Sequence, residues 1–363
     1  MTNYQLKTRQ ICLFFIAFTT INKLFTMPSL MASLANEDMW LCALLNVALD
    51  LFTIFALTCV CRKQNLTFIQ LLERGLGKKW TKAIMIAYFL YFLLKAYIPI
   101  NEQKAFVELA LYINITTDLY FLPFFIIGFY MATKKLRVLG RLADIVWLIT
   151  IIGFTLLISL SIHNTDFLAV LPVGANGIKN VALGSYVGSN WYGEGAYFLF
   201  FIGQFAYHKR DGVKILLSYL AGGVAVILFM VVFYGIFKSI AFRQSFALTE
   251  IAKYTTVINN IGRFDYLGII LLLFANVFAL SVPIFFASKC LDYVFDIKKD
   301  WLSPLIITST LLVFTIGLGE YYATIQVLFS KYFSAFFLFM ANVLPLVTLF
   351  LTKKENVYAK VSS

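Results

Sequence analysis

Long apolar stretches alternate with short charged clusters along almost the whole chain, from Lys7 to Lys360. A membrane-crossing helix needs about 20 mostly apolar residues, and 61% hydrophobic against 13% charged residues is far from the composition of a water-soluble domain. The alternation therefore predicts an all-α integral membrane protein with about ten spans. Numbered one to ten, these are 11–34, 39–60, 83–101, 118–133, 143–162, 178–207 (interrupted), 213–237, 266–288, 301–319 and 327–352.

Lysine and arginine are concentrated in every second connection. With Lys7 and Arg9 placed in the cytoplasm, the other cytoplasmic segments hold most basic residues, at 62–82, 134–141, 209–214, 289–299 and 353–360. The intervening connections carry few basic residues over more sequence. Because cytoplasmic loops are enriched in Lys and Arg, both termini are predicted to be cytoplasmic in a multi-pass protein of the lipid bilayer. The net charge of +12 then requires no nucleic-acid partner.

The chain offers little of what an enzyme needs. Its two histidines, His163 and His208, have no partner at metal-ligand spacing, and no phosphate-binding Walker loop is present. We therefore predict no catalytic residue, no metal and no cofactor. The longest connection, about 238–265, is far shorter than usual domains, so the chain is predicted to form a single transmembrane domain, 1–363.

Span one has a polar interruption in its middle, formed by Thr19, Thr20, Asn22 and Lys23, and Pro28 follows. Backbone within a membrane leaves the helical pattern only where protein or a watery cavity satisfies its polar groups. The cluster therefore predicts a broken helix, with Lys23 too deep to reach the interface at little cost. The alternative is an ordinary kinked helix whose lysine extends to the interface.

Span six carries a carboxylate between two glycines, Gly193-Glu194-Gly195. The amphipathic segment 178–190 before it could form a half-helix, and 197–207 continues towards the cytoplasm. Glycine lowers the cost of non-helical backbone, and half-helix ends are ready-made sites for ions and carboxylates. The alternative is a loop just outside a shorter sixth helix.

The two interruptions open two five-span halves, about 11–162 and 178–352, which have opposite orientations because each half holds an odd number of spans. This is the inverted-repeat plan of many secondary transporters, which bind substrate at the discontinuous helices. We therefore predict a ligand site formed by the two breaks together with spans three and eight. Its candidate residues are Thr19, Thr20, Asn22, Lys23, Tyr97, Gly193, Glu194, Gly195 and Asn276.

Further charges within the spans indicate a polar interior. Asp50 lies midway along span two, Lys95 in span three and Lys331 near the start of span ten. A charge in hydrocarbon costs at least a few kcal/mol, so it faces a cavity or a partner. Asp50 paired with Lys23 or with Lys95 would be a neutralising pair, and the sequence leaves both pairings open.

A resemblance rests on six short segments in a fixed order, Lys7-Thr8-Arg9-Gln10, Leu24-Phe25-Thr26-Met27-Pro28, Glu37-Asp38-Met39-Trp40, Phe68-Ile69-Gln70-Leu71-Leu72-Glu73, Leu171-Pro172 and Gly262-Arg263-Phe264-Asp265. Through them the chain resembles the endospore germination permease family. These are the B subunits of spore nutrient receptors, within the amino acid–polyamine–organocation superfamily. The resemblance covers nearly the whole length.

The resemblance implies a leucine-transporter-like fold with broken helices one and six, in the cell membrane or the spore inner membrane. It also implies a small germinant, an amino acid above all, and two receptor partners, an A-type membrane subunit and a C-type lipoprotein. Where the superfamily usually has a glycine-rich break, this chain has Asn22 and Lys23. Lys23 could supply positive charge for a ligand, could occupy a cation site, or could mark an altered or lost site.

Two function classes follow. The first is a membrane subunit of a nutrient receptor that binds a germinant and passes a conformational signal to its partners. The second is a secondary transporter that moves an amino acid with protons. A shared fold does not decide between them. A membrane-embedded enzyme is a third class, disfavoured because no catalytic constellation is present.

Overall fold

A computed structural model describes residues 5–63, 66–110, 118–253 and 265–347. Residues 348–352 of predicted span ten and the segment 262–264 lie outside the described residues. The regular secondary structure of the described part is helical, apart from one isolated backbone bridge between Leu6 and Phe205. The prediction of an all-α membrane fold is confirmed.

The α-helices, numbered along the chain, are α1 (Thr8–Ile21), α2 (Met27–Ala35), α3 (Met39–Lys63), α4 (Phe68–Leu76), α5 (Lys78–Ala110), α6 (Asp118–Ala132), α7 (Leu136–Ser161), α8 (Gly177–Gly188), α9 (Glu194–Phe201), α10 (Asp211–Phe237), α11 (Ala247–Lys253), α12 (Asp265–Phe295), α13 (Leu302–Leu318), α14 (Tyr322–Leu328) and α15 (Ser334–Leu338). Short 3₁₀ turns join several of them, and π-helical turns follow α14 and α15.

Helix length and hydropathy agree with the predicted spans. In the described residues, 6 helical segments are long and apolar enough to cross a membrane. Three shorter apolar helices are α1, α6 and α13. One of the 6 combines α2 and α3, the second half of span one and all of span two. The interrupted segment α8–α9 is span six. The ten predicted spans are therefore all represented by helices.

Both predicted interruptions are breaks in the helices. The first break lies between Ile21 at the end of α1 and Met27 at the start of α2. Pro28 occupies the first turn of α2, where its missing N–H leaves no hydrogen bond unmade. The second break lies between α8 and α9, where Gly193 has φ +116°, a backbone conformation that favours glycine.

The breaks lie at the centre of the bundle. The first broken helix packs through α1 against α10 and α7, and the second packs through α9 against α3. α12 packs along α5 and α7 and also contacts α1. α5 and α12 therefore flank the breaks, as the sequence predicts for spans three and eight.

The basic connections meet at one end of the bundle, which we call the basic side. The contacts there are the Leu6–Phe205 bridge, an ion pair of 3.2 Å between Arg9 and Asp144, and another of 2.9 Å between Lys82 and Asp296. The far end is the opposite side. There, Asp38 accepts hydrogen bonds from the backbone N–H groups of Gly174 (2.7 Å) and Asn176 (3.0 Å).

A loop on the opposite side is tied to the end of α10 by an ion pair of 2.9 Å between Asp166 and Lys238. The hydrogen bond from Lys238 holds the pKa of the Asp166 carboxyl below its usual range. The carboxylate is therefore ionised throughout the neutral range, and the tie does not depend on pH there.

Span three is longer than the sequence predicts. The predicted span ends at 101, the first residue of the polar run Asn101-Glu102-Gln103-Lys104. Instead α5 continues unbroken to Ala110, and all four side chains are buried. Hydropathy fails here because these polar groups face protein partners rather than water.

Candidate functional site

An ion pair joins the two breaks. The Lys23 ammonium donates hydrogen bonds to a carboxylate oxygen of Glu194 and to the Thr19 carbonyl, the latter at 3.1 Å. Its Nζ lies 4.6 Å from the centre of the Tyr192 ring. Both charged side chains are buried, with exposures of 0% and 1%. The expected partner of Lys23 was Asp50 or a ligand; in the structure the partner is Glu194.

Lysine ammonium groups satisfy the carbonyl ends at both breaks. At the end of α1, Lys23 donates a hydrogen bond to the Thr19 carbonyl. Lys95 of α5 donates to the carbonyl oxygens of Asn190 and Tyr192, which follow α8. The carbonyl end of a helix carries partial negative charge, so each ammonium is placed where the broken helix attracts a cation. The sequence left a pairing of Lys95 with Asp50 open, and the structure does not form it.

Carboxylates satisfy the amide ends. Asp50 of α3 accepts from the backbone N–H groups of Gly193 (2.8 Å) and Glu194 (3.2 Å), and from the Tyr219 hydroxyl at 3.3 Å. Glu102 of α5 accepts from the N–H and the hydroxyl of Thr26, both at 2.6 Å. At the four ends of the broken helices, lysine side chains therefore contact the carbonyl ends and carboxyl groups contact the amide ends.

Glu102 also connects the breaks to each other, because its second oxygen accepts from the Trp191 indole at 3.2 Å. Thr26 belongs to the first break and Trp191 to the second. Gln326 donates in turn to the Thr26 hydroxyl at 2.8 Å. A single carboxylate thus holds both breaks and, through Thr26, the last span.

A small cavity of about 20 Å³ lies beside the ion pair. Its lining residues are Phe18, Asn22, Lys95, Ile98, Pro99, Asn190, Trp191, Tyr192, Glu194, Tyr197, Ala279 and Pro283. This volume has room for about one water molecule. A larger ligand therefore requires the breaks and the surrounding helices to separate.

Several buried polar atoms around the cavity lack a hydrogen-bond partner among the described residues. They are Thr19 Oγ1, Asn22 Oδ1 and Tyr192 Oη. Leaving such an atom unsatisfied costs about 1–3 kcal/mol, and few occur in folded proteins. Three of the 13 such atoms in the described residues thus lie at the two breaks, where a polar ligand would gain hydrogen bonds.

Aromatic rings separate this cavity from a larger vestibule on the basic side. The vestibule has a volume of about 430 Å³, and Phe200 and Phe286 are among its lining residues. The Tyr197 ring, which lines the central cavity, lies 5.7 Å from that of Phe286 and 5.1 Å from that of Phe92. The Phe200 and Phe286 rings are 5.5 Å apart. These rings close the path between cavity and vestibule.

The opposite side is covered as well. The Ala247 N–H at the start of α11 donates to the Phe25 carbonyl in the first break at 2.9 Å. The Ser29 hydroxyl of α2 donates to the Gln244 carbonyl. These two hydrogen bonds tie the first broken helix to the segment around the start of α11.

Not all predicted site residues face the cavity. The Thr20 hydroxyl donates along its own helix to the Ile16 carbonyl at 2.8 Å. Gly195 makes room for close packing, since a Cβ there would lie 2.7 Å from Thr53 Cγ2. Thr19, Asn22, Lys23, Gly193 and Glu194 do come together at the breaks.

Tyr97 and Asn276 lie outside the cavity. The Tyr97 ring packs 6.5 Å from those of Phe314 and Phe329, and the Asn276 amide donates to Gln103. Spans three and eight line the cavity through other residues of the same helices, Lys95, Ile98 and Pro99 on one and Ala279 and Pro283 on the other. The cavity is thus lined by other faces of these two helices than those that carry Tyr97 and Asn276.

Sequence reasoning missed Glu102, Trp191 and Tyr192 as site residues, and it recognised Lys95 only as a charge within a span. One signal was present. Glu102 and Lys95 are seven residues apart, so they lie about two turns apart on the same face of a helix. That face would have been recognised only if α5 had been extended past residue 101.

Residues 5–324 match a family described as "Spore germination protein". The chain belongs to this family. The expected resemblance is therefore confirmed over nearly the whole length. In the part of the chain that the structure describes, no group of three or more His, Cys, Asp or Glu side chains could hold a metal ion.

Solved structures similar to this spore germination family member include crystal structures of a manganese transporter from Eremococcus coleocola. Two single-substitution variants of it have TM-scores of 0.56 at 12% identity, covering 96% of this chain and 76% of theirs. Its complex with an aromatic bis-isothiourea substituted compound has a TM-score of 0.54 at 12% identity, covering 94% and 75%. At this identity the likeness shows the fold alone, a leucine-transporter-like one. No curated protein matches the chain in sequence.

Proposed function

We propose that this family member is a ligand-binding, permease-like subunit of a nutrient receptor, and that its ligand is an amino acid bound between the two breaks. The observation that carries the proposal is the Lys23–Glu194 ion pair, which spans the breaks beside unpartnered polar atoms. An amino acid offers one carboxylate and one ammonium. Lys23 is suited to bind the first, and the Glu194 carboxylate the second.

The breaks are also the elements that must move when a ligand enters, because the cavity of about 20 Å³ is far below the volume of an amino acid. Separation of the breaks would disturb the contacts of Glu102 with Thr26 and Trp191. A ligand at the centre would thereby change the opposite side of the bundle. We propose that this change is passed to an A-type membrane subunit and a C-type lipoprotein.

A proton-coupled amino acid transporter is the second candidate. The vestibule on the basic side favours it, since the packed rings of Phe92, Tyr197, Phe200 and Phe286 lie between the vestibule and the cavity. Proteoliposomes containing this chain alone distinguish the two functions. Accumulation of labelled amino acid supports transport, whereas ligand binding without accumulation supports a receptor subunit.

A thermal-shift screen across amino acids, nucleosides and sugars tests the proposal. A ligand that binds the native state raises its stability with increasing excess, by about 2.7 kcal/mol at 100 times Kd. We expect an amino acid to raise the melting temperature equally in sodium and in choline buffers, because Lys23 occupies the carbonyl end of α1 where a sodium ion would otherwise be needed. A shift that requires sodium would contradict this role of Lys23.

We propose that the chain is a multi-pass protein of the cell membrane or spore inner membrane. Its basic side and both termini are proposed to face the cytoplasm. We expect a cysteine at Lys179 to react with an impermeant maleimide in intact cells. A cysteine at Lys79 should react only after permeabilisation. Both residues are exposed, on the opposite and basic sides respectively. Labelling at position 79 in intact cells would contradict the proposed orientation.

A further inference from the structure

The surroundings of Lys95 differ from those of Lys23. The Lys95 ammonium donates to the carbonyl oxygens of Asn190 and Tyr192, and among the described residues it forms no ion pair. Its Nζ lies 5.0 Å from the centre of the Phe337 ring and 5.6 Å from that of Tyr91. The side chain is buried. Main-chain oxygens and aromatic faces therefore hold this charge directly.

Carbonyl oxygens at an unwound helix end, together with aromatic faces, form a chemical environment that selects a monovalent cation or an ammonium group. The carbonyl end of a half-helix carries negative partial charge, and aromatic faces attract cations. Gly193 keeps the enclosure tight, since a Cβ there would lie 3.6 Å from Lys95 Nζ and 2.5 Å from Tyr91 Oη.

The helix that carries Lys95 is weakened at the same residue. Pro99 lies inside α5, four residues further on. Proline has no N–H, so the Lys95 carbonyl lacks its usual helical hydrogen bond, and helices bend at such points. Pro99 also lines the central cavity. The part of α5 that positions the Lys95 ammonium can therefore bend next to the cavity.

We propose that the second break is a cation site for a primary ammonium group, and that the chain fills this site with its own Lys95. Asn190 and Tyr192 supply the carbonyl oxygens, and Phe337 and Tyr91 supply the aromatic walls. Lys95 is thus an internal ligand, and an external primary ammonium group competes with it for the same oxygens.

The consequence for regulation rests on the proposed function. The ammonium group of an amino acid would gain the Asn190 and Tyr192 carbonyls only when Lys95 withdraws from them. Lys95 then holds the site in its closed form until a ligand replaces it. The cation site itself can be tested without any germinant, so failure of the ligand screen and failure of this proposal are separate outcomes.

The test is chemical rescue of Lys95→Ala. This variant removes the three carbons and the ammonium that n-propylammonium can replace. We expect the apparent melting temperature of Lys95→Ala to fall by about 5 °C or more at a fixed scan rate. n-Propylammonium should restore at least about half of the loss in a saturable manner, as a ligand of the native state does. Propionamide, a neutral molecule of similar size, should restore none.

Three proteins serve as controls. Wild type has the site filled, Lys95→Met fills the space without charge, and Lys331→Ala removes an exposed lysine near the start of span ten. None of them should gain stability from n-propylammonium. Equal amine effects on all four proteins, or a Lys95→Ala variant as stable as wild type, would overturn the proposal.

If Lys95→Ala cannot be isolated folded, Lys95→Arg and Lys95→Gln replace it. Arginine keeps both charge and donors, while glutamine keeps donors and loses the charge. A cation site predicts that Lys95→Arg is the more stable of the two. Equal stability, or greater stability of Lys95→Gln, would mean that these carbonyls need only a hydrogen-bond donor.

Discussion

Replacing Lys23 with methionine is expected to lower the free energy of unfolding by about 3–5 kcal/mol, because a buried carboxylate, Glu194, loses its counter-charge. Methionine has nearly the length of lysine, so the change removes charge rather than volume. Unfolding by denaturant in mixed micelles measures the effect. Lys331→Met is the matched control, since Lys331 is exposed and its loss should change stability little.

A double-mutant cycle separates the ion pair from other effects of the Lys23 substitution. Glu194→Gln removes the uncompensated charge, so the double variant Lys23→Met/Glu194→Gln should be more stable than Lys23→Met alone. Coupling energies in such cycles reach about 0.5–3 kcal/mol. Additive effects of the two substitutions would show that the contact between the breaks contributes nothing to stability.

Gly193→Ala is expected to destabilise the protein by about 2–6 kcal/mol, the sum of backbone strain and overpacking. Gly193 has φ +116°, and a Cβ at this position would lie 2.5 Å from Tyr91 Oη and 3.0 Å from Ala341 Cβ. Both effects act at the start of α9, where Asp50 accepts the backbone hydrogen bonds. The melting temperature of the purified variant gives the measurement.

Two other glycines separate strain from overlap. Gly174 has φ +84°, and a Cβ at this position would have no atom within 4 Å. Gly174→Ala should therefore lower the stability through backbone strain alone. Gly317 also has open space and lies in α13, so Gly317→Ala should be neutral or stabilising by up to about 1 kcal/mol. If Gly193→Ala were no worse than Gly174→Ala, the close packing of the second break would be in doubt.

The sequence predicted the breaks because their signals are local. Pro28, and the glycines on either side of Glu194, act on their own backbone, and a polar cluster in an apolar span is visible without knowing its neighbours. The partners of the charges were not predicted. Lys23 pairs with Glu194, 171 residues away, and the composition alone does not decide which lysine pairs with which carboxyl group.

Faces of the flanking helices were also beyond the sequence. α5 and α12 are apolar on most of their surface, and lipid and protein neighbours are equally apolar, so hydropathy carries little information about rotation. Tyr97 was therefore predicted to line the cavity, whereas the neighbouring Ile98 does so. Glu102 was missed for a related reason, since its polar neighbours imitate the end of a span.

Asn22 offers the most direct test of a ligand site between the breaks. Its Oδ1 faces the region of the cavity without a hydrogen-bond partner in the described structure, so Asn22→Ala removes a potential ligand contact at little cost to the fold. Binding of the amino acid found by screening should be measured by calorimetry for wild type, Asn22→Ala, Glu194→Ala and Lys331→Met.

We expect Asn22→Ala to weaken binding about tenfold, equivalent to ~1.4 kcal/mol, with a melting temperature like that of wild type. Glu194→Ala should weaken binding further, and Lys331→Met should bind as wild type does. Wild-type affinity in both Asn22→Ala and Glu194→Ala would contradict a ligand site between the two breaks.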